Sequence, residues 1–437
     1  MIVGALLCCA VAAAAEVPVP PRLARLRAAE LAGFWREVTR RGTPLIDPVA
    51  GRPDLMDVTF LWRGSADAVA PRVFGVFNTH PWTDGDAMHH LPGTDVWFLR
   101  YRLPAGLRAS YHLLGPRTAF PRLRFQRVWE GERRHDLLLD PLNPRKIADV
   151  YFRRLSYDNV FAGPRAPQWY DGGRLRGRVV ALVLRPSRSQ PPRRVLVYLP
   201  PVRHDAAPPG VLLLFDGLSY RTPGMVPEML DRMIAAKQIP PTSAVMFDSG
   251  PIERRETELN ADPAFERFVV KRLLPLVQAR FHLTRDPRRT IVAGASRGGL
   301  AAASIALRYP ETFGNVIAQS AAFWSAPDRR DHHKDWMARQ YLAVPTTVPV
   351  RFHIAPGTME DAEDMLEPNR RFRDRLRARG YRICFREFVG GHSFVNWRDD
   401  LAVAIREMTR PWHTADPCEK SDVSAGKRAG DAATAAH

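Results

Sequence analysis

The sequence predicts an α/β protein whose C-terminal part is built on a mostly parallel sheet, preceded by an all-β sandwich of immunoglobulin-like type. Three observations predict it. Short segments rich in β-branched and aromatic residues recur between turn residues over 57–170. From about residue 174 strand-like and helix-like segments alternate. One run, GVLLLFDG at 210–217, is continuously apolar, as a strand buried on both faces must be.

The chain has 437 residues against ~100–200 for a typical domain, so two domains are expected. Hydrophobic residues at 45% and charged residues at 25% exclude a wholly disordered or collagen-like chain. Beyond the extreme N-terminus no apolar run reaches the ~18 residues of a membrane span, which excludes a polytopic membrane protein. The formal charge is +18, yet only six of the 64 basic residues are Lys. The Arg residues are scattered, with no zinc-finger spacing or basic helix. Such an Arg excess can reflect a GC-rich genome, or an anionic partner such as an acidic surface or an anionic small molecule; no nucleic-acid partner is expected.

Residues 2–15, IVGALLCCAVAAAA, form an apolar run closed by Ala13-Ala14-Ala15. That pattern predicts a signal peptide over 1–15, although no basic residue precedes the run. An exported, periplasmic protein is expected, with a cytoplasmic one as the alternative. No membrane span remains once the leader is removed. Cys384 and Cys418 would be left, and in an oxidising compartment they could pair.

Helical spacing appears within 22–41, in Leu23, Leu26, Leu31, Phe34 and Trp35. The strand-like segments 58–64, 72–78, 94–103 and 109–114 follow, and Gly172-Gly173 marks a boundary. The first domain is thus 22–172. In the second, 173–412, strands are expected at 177–184, 193–201, 210–217, 242–248, 289–294, 315–320, 348–355 and 381–388. Helices are expected at 226–237, 262–279, 298–308 and 368–379. Residues 413–437 lack a hydrophobic pattern and read as a disordered tail.

Gly294-Ala295-Ser296-Arg297-Gly298-Gly299 is a G-x-S-x-G with an apolar strand leading in and a small-residue helix leading out. A strand-to-helix elbow of this kind needs glycine at both flanks, because its backbone is strained and crowds its neighbours. It marks an α/β-hydrolase and makes Ser296 the candidate nucleophile. A serine hydroxyl needs a base to take its proton. His392, in Gly390-Gly391-His392-Ser393 after the last expected strand, is placed for that role. The acid that holds the imidazole should follow 348–355, which points to Glu360, with Asp361 and Asp364 as alternatives. Oxyanion donors are expected from the N–H of Arg297 and from the loop at Gly217 or Leu218.

These runs resemble the enterochelin (enterobactin) esterase family across both domains. In the first domain the resemblance rests on FWREVTRRGTPLIDP (34–48), VTFLWRG (58–64), LPGTDVWFLRYRLP (91–104) and DPLNP (140–144). In the second it rests on LLLFDG, RRETELNADPAF (254–265), VAGASRGGLAA (292–302), YPETFGNVIAQSAAFW (309–324) and GGHSFVNWR (390–398). It departs from the family at Arg297, Ala321-Ala322 and Ser393. The resemblance implies a Ser296, Glu360 and His392 triad, with Arg255 and Trp324 near the substrate. It implies an anionic ferric catecholate siderophore as that substrate, its iron belonging to the siderophore, and no cofactor or metal of the protein's own. The alternatives are an esterase or acyltransferase for another acyl ester and a catalytically weak siderophore-binding protein. Oligomeric state is not specified.

Overall fold

Residues 211–214 alternate between two hydrophobic cores. Val211 and Leu213 join one, while Leu212 and Leu214 join the other. Such a strand is covered on both faces, which explains its unbroken apolar sequence. The computed structural model describes residues 19–66, 68–75, 77, 85–115, 137–151, 154–161, 173–185, 191–202, 205–327 and 335–410. The expected leader (1–15), the expected tail (413–437) and Cys418 lie outside these residues. Two compact units emerge. One runs to Leu107 and resumes over Tyr111–Arg145; the other takes Arg108–Ser110 and the chain from Lys146 onward.

The first unit opens with α1 (Pro21–Ala24) and α2 (Leu31–Arg41), where the sequence predicts a helical pattern. One sheet joins β1 (Leu45–Val49), β2 (Arg52–Arg63), β6 (Val96–Pro104) and β5 (His89–His90) in that order. A second set of antiparallel pairs involves β3 (Arg72–Gly75), β4 (Asp86–Ala87), β7 (Ala109–Leu114) and β8 (Leu137–Leu138). Phe60 on β2 meets Tyr111 on β7 edge to face at 4.7 Å, so rings from the two sets share a core.

The second unit includes the antiparallel hairpin β9 (Lys146–Tyr151) and β10 (Arg154–Phe161). The units thus divide earlier than the 172/173 boundary read from the sequence. Ile147 and Val160 of the hairpin cluster with Val395, which gives the hairpin its place in this unit.

The eight-stranded sheet runs β11 (Arg178–Leu184), β12 (Arg193–Leu199), β14 (Thr242–Phe247), β13 (Gly210–Leu214), β15 (Thr290–Ala295), β16 (Asn315–Gln319), β17 (Arg351–Ala355), β18 (Arg382–Phe385). β11 and β12 pair antiparallel, as do β12 and β14; the pairs from β14 through β18 are parallel.

Helices cover both faces. α3 (Gly217–Arg221) and α4 (Val226–Ala235) follow β13, and α5 (Ile252–Glu258) follows β14. The helix expected at 262–279 is α6 (Pro263–Phe268) and α7 (Leu274–Phe281) joined by a widened π turn, Val269–Leu273. Pro275, which lacks an N–H, sits in the first turn of α7. After them come α8 (Arg297–Arg308), α9 (Trp336–Ala343) and α10 (Glu367–Ala378). The sixteen-residue α11 (Phe394–Thr409), begun by Ser393 accepting from the Val395 N–H, goes unmarked in the sequence reading. Its Leu401, Ala404, Ile405 and Met408 are fully buried against the sheet.

Candidate active site

Ser296 sits between β15 and α8 at φ 58°, ψ −122°, a conformation that a non-glycine residue holds only when its surroundings enforce it. The surroundings are visible. The Ser296 N–H donates to the Gln319 carbonyl at 2.9 Å, and the Ser296 carbonyl accepts from the Ala322 N–H at 2.9 Å. A Cβ on Gly294 would lie 2.4 Å from the Gly298 backbone, so the turn closes only with glycine there. This is the elbow the sequence predicts.

Glu360 follows β17 and His392 follows β18, so both lie beyond the carboxyl ends of strands that neighbour the serine strand through β16. Their two loops are tied together. The Thr358 N–H donates to the Phe388 carbonyl at 2.9 Å and the Met359 N–H to the Gly390 carbonyl at 2.9 Å. A Cβ on Gly357 would stand 2.4 Å from the Gly390 oxygen, which makes that close approach possible only for glycine.

Glu360 is buried, and its Oε1 lies 3.2 Å from His392 Nδ1. Its Oε2 has no hydrogen-bond partner among the described residues, so the imidazole is the donor this carboxylate faces. Asp361 instead accepts from the Glu363 and Asp364 N–H groups at 2.9 and 2.8 Å, capping the π turn Ala362–Leu366. Of the three acids raised by the sequence, the structure brings Glu360 to the histidine.

Two of the other expected site residues, Arg255 and Arg297, join a ladder of charges with Asp216 and Glu256. Asp216, left-handed at φ 53°, precedes Gly217 and Leu218 in the first turn of α3. Arg255 on α5 reaches Asp216 with Nε at 2.8 Å and Nη2 at 2.7 Å, and Glu256 with Nη1 at 3.2 Å. Glu256 in turn pairs with the Arg297 guanidinium. Arg297 also donates to Asn260 and Ser325, each at 2.9 Å, and its guanidinium lies 5.3 Å from the centre of the Trp324 ring. Burial works to lower the Arg255 pKa, and the facing carboxylates of Asp216 and Glu256 more than reverse that, so it is raised.

Glu258, three residues on from Arg255 in the same helix, is not its partner. The structure gives Glu258 to Arg193, at 2.8 and 2.9 Å, because the buried Arg193 guanidinium on β12 needs a carboxylate. The charge of Arg255 is therefore engaged by protein carboxylates.

Among the described residues no cluster of three or more His, Cys, Asp or Glu is arranged to hold a metal ion. Among those residues no helix is long and apolar enough to cross a membrane.

An elbow serine, with a paired imidazole and carboxylate beyond nearby parallel strands, is the layout of a serine hydrolase. Residues 187–408, just over half of the chain, match the family described as putative esterase, and residues 57–169 match the family described as enterochelin esterase, N-terminal. The chain belongs to the putative esterase family, as an enterochelin esterase type with both regions.

The iron(III) salmochelin esterase of Escherichia coli O6:H1 is 28% identical over 88% of this chain and 95% of the relative. The iron(III) enterobactin esterase of Dickeya dadantii is 28% identical over 85% and 92%. The crystal structure of the enterobactin esterase from Shigella flexneri, in the presence of enterobactin, superposes with a TM-score of 0.72. It covers 87% of this chain and 98% of that one at 24% identity, a likeness of fold.

Proposed function

We propose that this protein hydrolyses the ester backbone of a ferric catecholate siderophore of the enterobactin or salmochelin type, with Ser296 as nucleophile. The observation that carries the reading is the His392–Glu360 pair, held by two loops tied together at the carboxyl ends of β17 and β18, on the same sheet as the Ser296 strand. The names and coverage of the relatives supply the substrate class. In this reading the second unit is an α/β-hydrolase and the first an immunoglobulin-like sandwich.

The Ser296 hydroxyl attacks the ester carbonyl while His392 takes its proton. Glu360 holds the imidazole tautomer and stabilises the imidazolium. The N–H of Arg297 and that of Gly217 or Leu218 receive the oxyanion. Collapse expels the alcohol, which takes the proton from His392, and water then releases the acyl group by the same route. This chemistry calls for no resident cofactor, and the iron enters with the siderophore. Trp324 offers a flat surface for the substrate's rings. The Asp216–Arg255–Glu256–Arg297 ladder is neutral in sum, so the +18 excess elsewhere supplies the attraction for an anionic substrate.

We place the enzyme outside the cytoplasm. The apolar 2–15 run supports this, and so does the participation of Cys384 in a disulfide, a bond that persists in oxidising compartments. A fusion of residues 1–25 to a reporter active only after export tests the placement, and a silent reporter returns the enzyme to the cytoplasm.

The deciding experiment incubates the protein and Ser296→Ala with ferric enterobactin, its glucosylated form and a small neutral aryl ester, with mass detection of products. Linearised siderophore from the native protein and none from the folded variant is the expected result. Cleavage of the aryl ester alone would point to another acyl ester. Binding of the siderophore without cleavage would make the protein a carrier.

A further inference from the structure

Trp397, five residues beyond His392 in the GGHSFVNWR run, has no role in the reading above. Its ring meets the His392 imidazole edge to face, with centroids 4.7 Å apart and planes at 82°. The indole N–H donates to Ser320 Oγ at 2.8 Å, and both residues are buried. Ser320 is itself left-handed, at φ 42°, without being glycine. Its N–H donates to the Ala355 carbonyl at the end of β17, at 2.9 Å.

The neighbours of Ser320 hold the nucleophile. The Gln319 carbonyl accepts the Ser296 N–H, and the Ala322 N–H donates to the Ser296 carbonyl. Gln319 also grips the other side of Trp397, donating through Nε2 to the Trp397 carbonyl at 2.7 Å. Phe394 packs edge to face on Trp397 at 5.0 Å, and Tyr220 on Phe394 at 5.1 Å, so the indole has little freedom to rotate. The strained end of β16 thus fixes the serine peptide on one side and the wall behind the histidine on the other.

We propose that Trp397, held by Ser320, is a positioning residue for His392, and that residues 319–322 register the nucleophile and its base in one frame. The inference rests on the serine-esterase reading. A carboxylate at Nδ1 leaves an imidazole able to turn about that contact, and the indole edge opposes the turn. Proton transfer from Ser296 then begins from an aligned pair.

The test uses the full chain with Trp397→Phe, Trp397→Leu and Ser320→Ala. Two quantities are read below each variant's melting temperature: kcat and KM on a neutral aryl ester, and the rate at which an aryl fluorophosphonate modifies Ser296. In the latter the serine oxygen bonds phosphorus, fluoride leaves and the serine proton goes to the base, so it reports the nucleophile and base without substrate recognition. For Trp397→Leu, kcat and the labelling rate should fall together by about 10–100-fold, part of the ~10²–10⁴ that positioned proton transfer supplies. KM should stay within about twofold. Trp397→Phe and Ser320→Ala should fall less, since each keeps an aromatic wall.

A folded Trp397→Leu that labels at the native rate overturns the inference, however far its melting temperature drops. So does a loss confined to KM. If Trp397→Leu does not fold, native labelling of Trp397→Phe and Ser320→Ala together overturns it, and a parallel fall of kcat and labelling in them supports it. Native protein that is not labelled at Ser296 defeats the esterase reading itself, whereas a labelled native protein with unaffected variants defeats this inference alone.

Discussion

Arg255 holds Asp216 through a two-point ion pair, Nε to Oδ1 at 2.8 Å and Nη2 to Oδ2 at 2.7 Å, across 39 residues of sequence. The pair fixes the turn that presents Gly217 and Leu218. Arg255→Gln should therefore damage hydrolysis of neutral and anionic esters alike, acting on kcat more than KM. It should also cost on the order of 1–3 kcal/mol of stability, less than the loss of a fully buried pair because both side chains keep some contact with solvent. Chemical denaturation and parallel kinetics on both substrates check this. A KM defect restricted to the ferric siderophore would show that Arg255 meets the substrate directly.

The two neighbouring acids should separate cleanly. Glu360→Gln keeps the shape but offers His392 the wrong partner, and kcat should fall by about 10⁴-fold. Asp361→Ala removes a helix cap and should cost about 0.5–2 kcal/mol of stability with kcat nearly intact. Steady-state kinetics and thermal melts on the two proteins decide, and the reverse pattern would move the acid to Asp361.

His353 gives a pH dependence unrelated to the triad. It is fully buried on β17, with Nδ1 2.6 Å from Glu407 and Nε2 3.2 Å from Asp400, both on α11. Burial lowers its pKa, but the two carboxylates outweigh that and raise it to about 9. Asp400 carries the Arg386 guanidinium at 3.7 Å as well, and its own pKa is lowered against the effect of burial. A raised histidine pKa stabilises the folded state fully below the unfolded value near 6.5, and that stability is lost as pH rises through about 9. The loss is on the order of 3 kcal/mol by the conversion of pKa shift to free energy. Denaturation midpoints measured between pH 6 and 10 should decline for the native protein, and His353→Gln should flatten that decline.

Gly294→Ala should abolish the elbow, since its Cβ would overlap the Gly298 carbonyl carbon at 2.4 Å. Overpacking of this kind costs about 1–3 kcal/mol, and here the strain falls on the nucleophile's own turn. Activity should disappear before the fold does, as circular dichroism and fluorophosphonate labelling of the same sample would reveal. A labelled, active Gly294→Ala would mean that the turn tolerates a side chain.

The elbow was legible in the sequence because its constraints are local: two glycines four residues apart must touch, and only a few residue types permit it. Glu360 and His392 were legible because strand order fixes where loops emerge. What the sequence left open depends on partners far along the chain. Arg255 finds Asp216 rather than Glu258, because the fully buried Arg193 claims Glu258 from the next strand over. His353 read as a residue within a strand, since nothing near it announces Asp400 and Glu407, 47 and 54 residues on. Helix α11 carries no such local mark, because its apolar residues come in clusters (Phe394-Val395 and Leu401 to Ile405) broken by charged ones, and its helical face is defined by the sheet it covers.

From β13 onward the sheet adds strands at one edge in the order in which they are synthesised: β13, β15, β16, β17, β18. Ser296 rides on β15, inside that series, while the carboxylate and imidazole arrive with its last two members. A nascent chain can therefore complete the strand that bears the serine while it still lacks the groups that would activate it. Under the proposed mechanism, a chain that ends before β17 and β18 carries the serine without the carboxylate and imidazole meant to activate it, so competence depends on the last strands of the series.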